Sequence, residues 1–136
     1  MNLNNYLEQH KRVEAEITTI KSLLKIDDIE ENAGEMARHI STLAGIIKIH
    51  LSMEDKYLYP GLQDSEDEGV KELAIDYQNE MGDLAEKFVL YKDKYNTKTK
   101  ILLNQSSLNQ DTTDILQAIE KRLQREEDEL YKFIEN

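Results

Sequence analysis

A histidine and a glutamate four residues apart, His50 and Glu54, stand in the segment H-L-S-M-E-D-K-Y-L-Y-P at 50–60. On a helix, side chains at i and i+4 leave the same face, and imidazole beside carboxylate suits iron, manganese or zinc. The chain then repeats itself. Residues 122–131 read R-L-Q-R-E-E-D-E-L-Y, so His50, Glu54, Leu58 and Tyr59 are echoed by Arg122, Glu126, Leu130 and Tyr131. The second copy keeps the carboxylate but puts a guanidinium where the ligand was, and a guanidinium has no lone pair to give a metal. A fainter echo sets E-Q-H-K-R-V at 8–13 against N-E-M-G-D-L at 79–84, with His10 opposite Met81, Val13 opposite Leu84 and Ile17 opposite Phe88.

Helices must position these groups. The 136 residues hold one proline, five glycines and no cysteine, with 33% charged and 39% hydrophobic residues. That excludes disulfide frameworks, cysteine-based metal sites and thiol nucleophiles, and it predicts long helices in one domain over 1–136. The net charge of −11 argues against nucleic acid, whose phosphates would be repelled. No basic-then-apolar leader and no apolar run of about 20 residues is present, so no membrane span is expected. A soluble cytoplasmic protein is the expectation.

Apolar residues stepping by three and four give four helices. The first, over about 2–25, carries Leu3, Tyr6, Leu7, His10, Val13, Ile17, Ile20 and Leu24. The second, over about 29–58, carries Met36, His39, Leu43, Ile47, His50, Glu54, Tyr57 and Leu58, and Pro60 should end it. Ser65 and Glu68 have the form of a capping box before a third helix over about 66–95, with Val70, Leu73, Tyr77, Met81, Leu84, Phe88, Tyr91 and Tyr95 inward. The fourth, over about 107–134, carries Leu108, Ile115, Ile119, Arg122, Glu126, Leu130 and Phe133. The first two connections are short, so the fold is all-α, an up-down-up-down antiparallel four-helix bundle. Ile101, Leu102 and Leu103, in the polar stretch 96–106, should cap one end.

Each of these stripes carries an ionisable residue or sits beside one. Buried charges cost several kcal/mol unless paired or metal-bound, so convergence of His10, His50, Glu54, Arg122 and Glu126 on one centre is the economical reading. From the third helix either Met81 or, after a modest rotation, Glu80 faces that centre, and Glu80 is the expected polar contributor. His39, eleven residues before His50 and about 16 Å away by helical rise, reads as a core-edge histidine. Tyr57, Tyr59 and Tyr131 read as packing residues, Met36, Met53 and Met81 as core, and the acidic run Asp64–Glu68 as a solvated helix start.

The segments E-Q-H at 8–10, H-L-S-M-E-D-K-Y-L-Y-P at 50–60 and R-E-E-D-E-L-Y at 125–131 resemble the hemerythrin-like, or HHE cation-binding, domains, and the resemblance spans essentially the whole chain. It implies an antiparallel four-helix bundle around a non-haem iron centre held by several histidines and bridging carboxylates. The implied metal ligands are His10, His50, Glu54 and Glu126. Met81 and Arg122 stand where the family has histidines, and E-M-G-D-L-A-E-K-F-V-L-Y resembles a bacterial variant branch carrying that replacement.

Two readings follow. One is a non-catalytic domain that binds iron, fewer than two ions per chain, or senses oxygen, nitric oxide or redox state. The alternative is a metal-free bundle in which Arg122 takes the place of an ion within an Arg-Glu-His network, acting as an interaction or scaffold protein. A di-iron oxidase or peroxide-consuming enzyme ranks below both, since no residue marks a substrate channel. The expected partners are a metal ion and a diatomic gas, with a homodimer or an unidentified protein partner left open.

Overall fold

The computed structural model describes residues 3–134. Its elements are α1 (Leu3–Leu24), α2 (Ile29–Met53), a π-helical turn (Glu54–Leu58), α3 (Tyr59–Gln63), α4 (Glu68–Tyr95), α5 (Lys98–Leu103), α6 (Gln105–Arg125), a second π-helical turn (Glu126–Leu130) and a 3₁₀ turn (Tyr131–Phe133). The expected first-helix boundary at residue 2 lies outside the described residues. Four long helical rods run antiparallel, as the short links demand, with α1 against α2 and α6, and α4 against α2 and α6. The architecture is the all-α bundle that the apolar spacing predicts.

Local chemistry fixes the helix starts. Asp28 accepts a hydrogen bond from Glu31 N at 3.1 Å, and Asp67 accepts one from Gly69 N at 2.9 Å, satisfying amides that the first helical turn leaves free. The third rod therefore begins from Asp67 and not from a Ser65–Glu68 capping box. Ser65 Oγ instead accepts from Asp67 N. The link between the third and fourth rods forms α5, which packs on α2. Ile101 is fully buried and Leu102 packs against the core, but Leu103 points outward at 77% exposure.

Both echoed phrases contain a π turn at the same place. Tyr59 N–H donates to Glu54 O, and Tyr131 N–H donates to Glu126 O, so each turn holds one residue more than an α-turn. Three sequence expectations fail for this reason. The second rod continues through Pro60 to Gln63, because the proline falls in the first turn of the resumed helix, where a missing N–H is tolerated. Tyr57 is turned out to 59% exposure while Tyr59 is buried. At the end of the fourth rod, Ile134 is buried in place of Phe133, which is 37% exposed.

The apolar interior lies in two parts. One runs from Val13, Ile17 and Ile20 through Leu43 and Ile47 to Phe88, Leu116 and Ile119. The other gathers Tyr6, Leu58, Tyr59, Leu62, Tyr77, Leu130, Tyr131 and Ile134 at the opposite end. The buried polar residues His10, His50, Glu54, Arg122 and Glu126 form a layer between them.

Proline inside a regular helix costs about 3 kcal/mol. At the π-to-α junction that penalty is absent, so Pro60→Ala should change unfolding stability by less than about 1 kcal/mol. Urea denaturation checks this, and a gain near the full helix-interior value would contradict the junction.

Candidate metal centre

Three rods deliver the polar layer. α1 brings His10, α2 and its π turn bring His50 and Glu54, and α6 and its π turn bring Arg122 and Glu126, all at 5% exposure or less. His10 Nε2 and His50 Nε2 face each other at 3.3 Å. Glu126 Oε1 lies 3.2 Å from the first and 3.3 Å from the second, and Glu54 Oε1 lies 3.2 Å from His50 Nε2. His10, His50 and Glu126 thus form a buried group whose ligand atoms could hold one metal ion.

The outer nitrogens of both rings are engaged. His10 Nδ1 meets Glu127 Oε1 at 3.1 Å, and His50 Nδ1 meets Gln9 Oε1 at 2.6 Å. A carboxylate and an amide oxygen can only accept, so each Nδ1 carries the hydrogen and each Nε2 presents its lone pair inward. Two lone pairs and two carboxylate oxygens then converge, and among the described residues the hydroxyl of Tyr131, 2.9 Å from His10 Nε2, is the donor that faces them. Glu54 Oε1 and Glu126 Oε2 make no hydrogen bond. Such a cluster needs a cation, either a proton or a metal. Ligands bound at about 2.0–2.1 Å sit about 3.0–3.4 Å from one another by simple polyhedral geometry, and the separations of 3.2 and 3.3 Å here fall in that range. The residues present therefore fit one ion.

Without a metal, a proton takes the role. His50 is pushed up to about 10: burial works against its charge, but hydrogen bonding to Glu126 and Glu54 outweighs it. Glu54 is pushed above its ordinary value by burial, then by the neighbouring Glu126 charge. Glu126 is held below the usual carboxylate range: burial works against its charge, but its interactions with the His10 and His50 rings and with Glu54 outweigh it.

Arg122 occupies the far side. One terminal nitrogen donates to Tyr77 O at 2.6 Å and Tyr59 Oη at 3.1 Å, and the other donates to Glu80 Oε2 at 3.2 Å. Its Nε stands 3.6 Å from Glu126 Oε2, and its guanidinium lies over the Tyr77 ring at 4.2 Å. The second oxygen of Glu126 thus faces a fixed positive charge.

Glu80 does not turn inward. Its side chain is 52% exposed and pairs with Arg122 and Arg125, while Met81 is the buried residue of that pair, at 4%. The rotation that would have made Glu80 a ligand is not adopted, because Met81 continues the stripe of Ala74, Tyr77 and Phe88. His39 is satisfied by Glu16 at 2.7 Å, away from the centre. Gln9 and Glu127 are missed as site residues by the sequence reading, and Tyr131, read there as packing, is buried as expected but also reaches His10 Nε2. The first two stand beside known candidates, Gln9 next to His10 and Glu127 next to Glu126, but only the fold shows that each serves a ring from another helix.

An enclosed imidazole and carboxylate centre within an antiparallel four-helix bundle defines a cation-binding class of helical protein. The chain belongs to the hemerythrin family: the family described as Hemerythrin HHE cation binding domain matches residues 1–134. No curated protein and no solved structure matches the chain. Among the described residues, no helix is long and apolar enough to cross a membrane.

Two predictions follow from the charges. In the metal-free protein, folded Glu54 keeps its proton above the ordinary 4.5, and folded His50 keeps its proton from the ordinary 6.5 up to about 10. The folded state then binds more protons than the unfolded state, so stability falls as pH rises across these windows. The melting temperature in the presence of chelator should drop between about pH 6 and about pH 9, and a rise would contradict the assignment. Separately, Arg122→Ala in metal-free protein should cost about 3–5 kcal/mol by denaturant titration, the range for stranding a buried partner charge.

Proposed function

We propose that the protein binds a single non-haem iron ion through His10, His50, Glu54 and Glu126, as a non-catalytic module that stores iron or responds to redox state or a diatomic gas. The observation that carries this reading is the pair of inward Nε2 lone pairs, each ring anchored from behind by an oxygen acceptor. Anchoring of that kind fixes the tautomer and raises ligand basicity. Mixed imidazole and carboxylate donors suit iron, the metal that the hemerythrin family binds. When bound, the iron would supply a redox-active site able to take a small ligand. The chain's own residues orient the ligand atoms, exclude water and balance charge.

Arg122 and Met81 support one ion in place of two. Where a second ion would share Glu126, a guanidinium stands 3.6 Å from Oε2, and like charges in a low-dielectric layer repel strongly. Met81, on the neighbouring rod, supplies no hard donor. The near-complete enclosure of the centre favours a binding or sensing role over turnover of a bulky substrate.

One observation favours the metal-free alternative. With protons on His50 and Glu54, the His50 and Arg122 charges are met by Glu126 within the layer and by Glu80 at its edge, so the layer is compensated without iron. Elemental analysis after anaerobic loading with ferrous iron separates the two readings. About one iron per chain is expected in wild type, little in His50→Ala, and more than wild type in Arg122→His, which restores a ligand. Two irons in wild type would falsify the blocking role of Arg122, and no iron would leave the compensated network as the function of the layer.

A further inference from the structure

We infer that Tyr131 is a fifth ligand, binding ferric iron at this centre through its phenolate oxygen. The inference rests on the iron reading above and adds a donor that the histidine and carboxylate spacing does not reveal. Tyr131 Oη lies 2.9 Å from His10 Nε2 and 3.3 Å from Glu54 Oε2. The second distance matches the 3.2–3.3 Å spacing that joins His10, His50 and Glu126, and the first is a few tenths of an ångström shorter, so the phenol oxygen borders that polyhedron.

The two echoed tyrosines divide the layer between them. Tyr59 Oη accepts from Arg122 at 3.1 Å and is committed to the guanidinium side. Tyr131 Oη has only acceptors within reach, the His10 lone pair and the Glu54 carboxylate. The π turn at Glu126–Leu130 carries the backbone one residue further before Tyr131, which brings its ring inward against His10 at 5.2 Å and Tyr6 at 5.6 Å between centroids. The ring is 3% exposed, so its oxygen cannot turn to solvent.

Ferric iron favours hard anionic oxygen, and a bound cation reverses the charge that otherwise keeps such a group protonated. On binding, the phenol O–H bond breaks as the iron–oxygen bond forms. The phenol proton is released to solvent as the ferric ion enters, and no protein group retains it. No electron is exchanged, and the iron stays ferric.

The test is the visible spectrum of protein loaded with ferric iron, with iron content measured on the same samples. A phenolate-to-iron charge-transfer band, with tyrosine ring modes enhanced in resonance Raman spectra, is expected in wild type. Tyr59→Phe should keep the band. Tyr131→Phe should lose it and weaken ferric binding beyond the roughly 10–100-fold that follows loss of an outer-sphere partner. Should Tyr131→Phe fail to fold, ring-deuterated tyrosine in wild type and in Tyr59→Phe decides the point, since the shifted Raman modes must persist in both. Iron bound without the band, or a band that survives Tyr131→Phe, overturns the tyrosine ligand alone. Wild type that takes up no iron overturns both this inference and the iron reading beneath it.

Discussion

Compensation of charge inside the bundle is the constraint to which the other features answer. Glu54 and Glu126 are fully enclosed, and an isolated carboxylate in such a place would cost several kcal/mol or take up a proton. Every polar neighbour responds to that demand. His10 and His50 turn their Nε2 atoms toward the carboxylates, Gln9 and Glu127 hold the rings from behind, and Arg122 closes the opposite side while Tyr59 and Tyr77 hold its guanidinium. The helices are amphipathic in the ordinary way for most of their length. Only at this layer does the core require a cation.

The internal echo has a geometric counterpart. Both copies end in a π turn that starts at the carboxylate and finishes before a tyrosine, so the two halves present the same frame with different contents. In one half Tyr131 meets a histidine, and in the other Tyr59 meets an arginine. The same frame therefore accommodates an arginine beside one tyrosine and a histidine beside the other.

Much of this was legible in the chain and some was not, for identifiable reasons. The inward positions of His10, His50, Glu54, Arg122 and Glu126 follow from steps of three and four, which α-helical geometry turns into a face. The π turns carry no such signature, since a turn wider by one residue has the same composition as its neighbours. The outward Tyr57 and Phe133 and the continuation past Pro60 come from that one omission. Glu80 and Met81 differ by about 100° of rotation, less than the breadth of the apolar stripe resolves, and the packing of Met81 decided between them. The contacts of Gln9, Glu127 and Tyr131 join residues 41, 117 and 121 apart, which only tertiary structure can bring together.

The division of the apolar interior into two bodies bears on how the rods are held lengthwise. Leucine against leucine tolerates sliding by a turn, and an uninterrupted hydrophobic seam would leave several vertical alignments close in energy. A transverse plane of complementary charges does not, because displacing one rod by a turn would strand a carboxylate or a guanidinium in hydrocarbon. The layer thus acts as a keyway, fixing the axial position of three rods at once, and it would keep that role whether a proton or a metal lies at its centre.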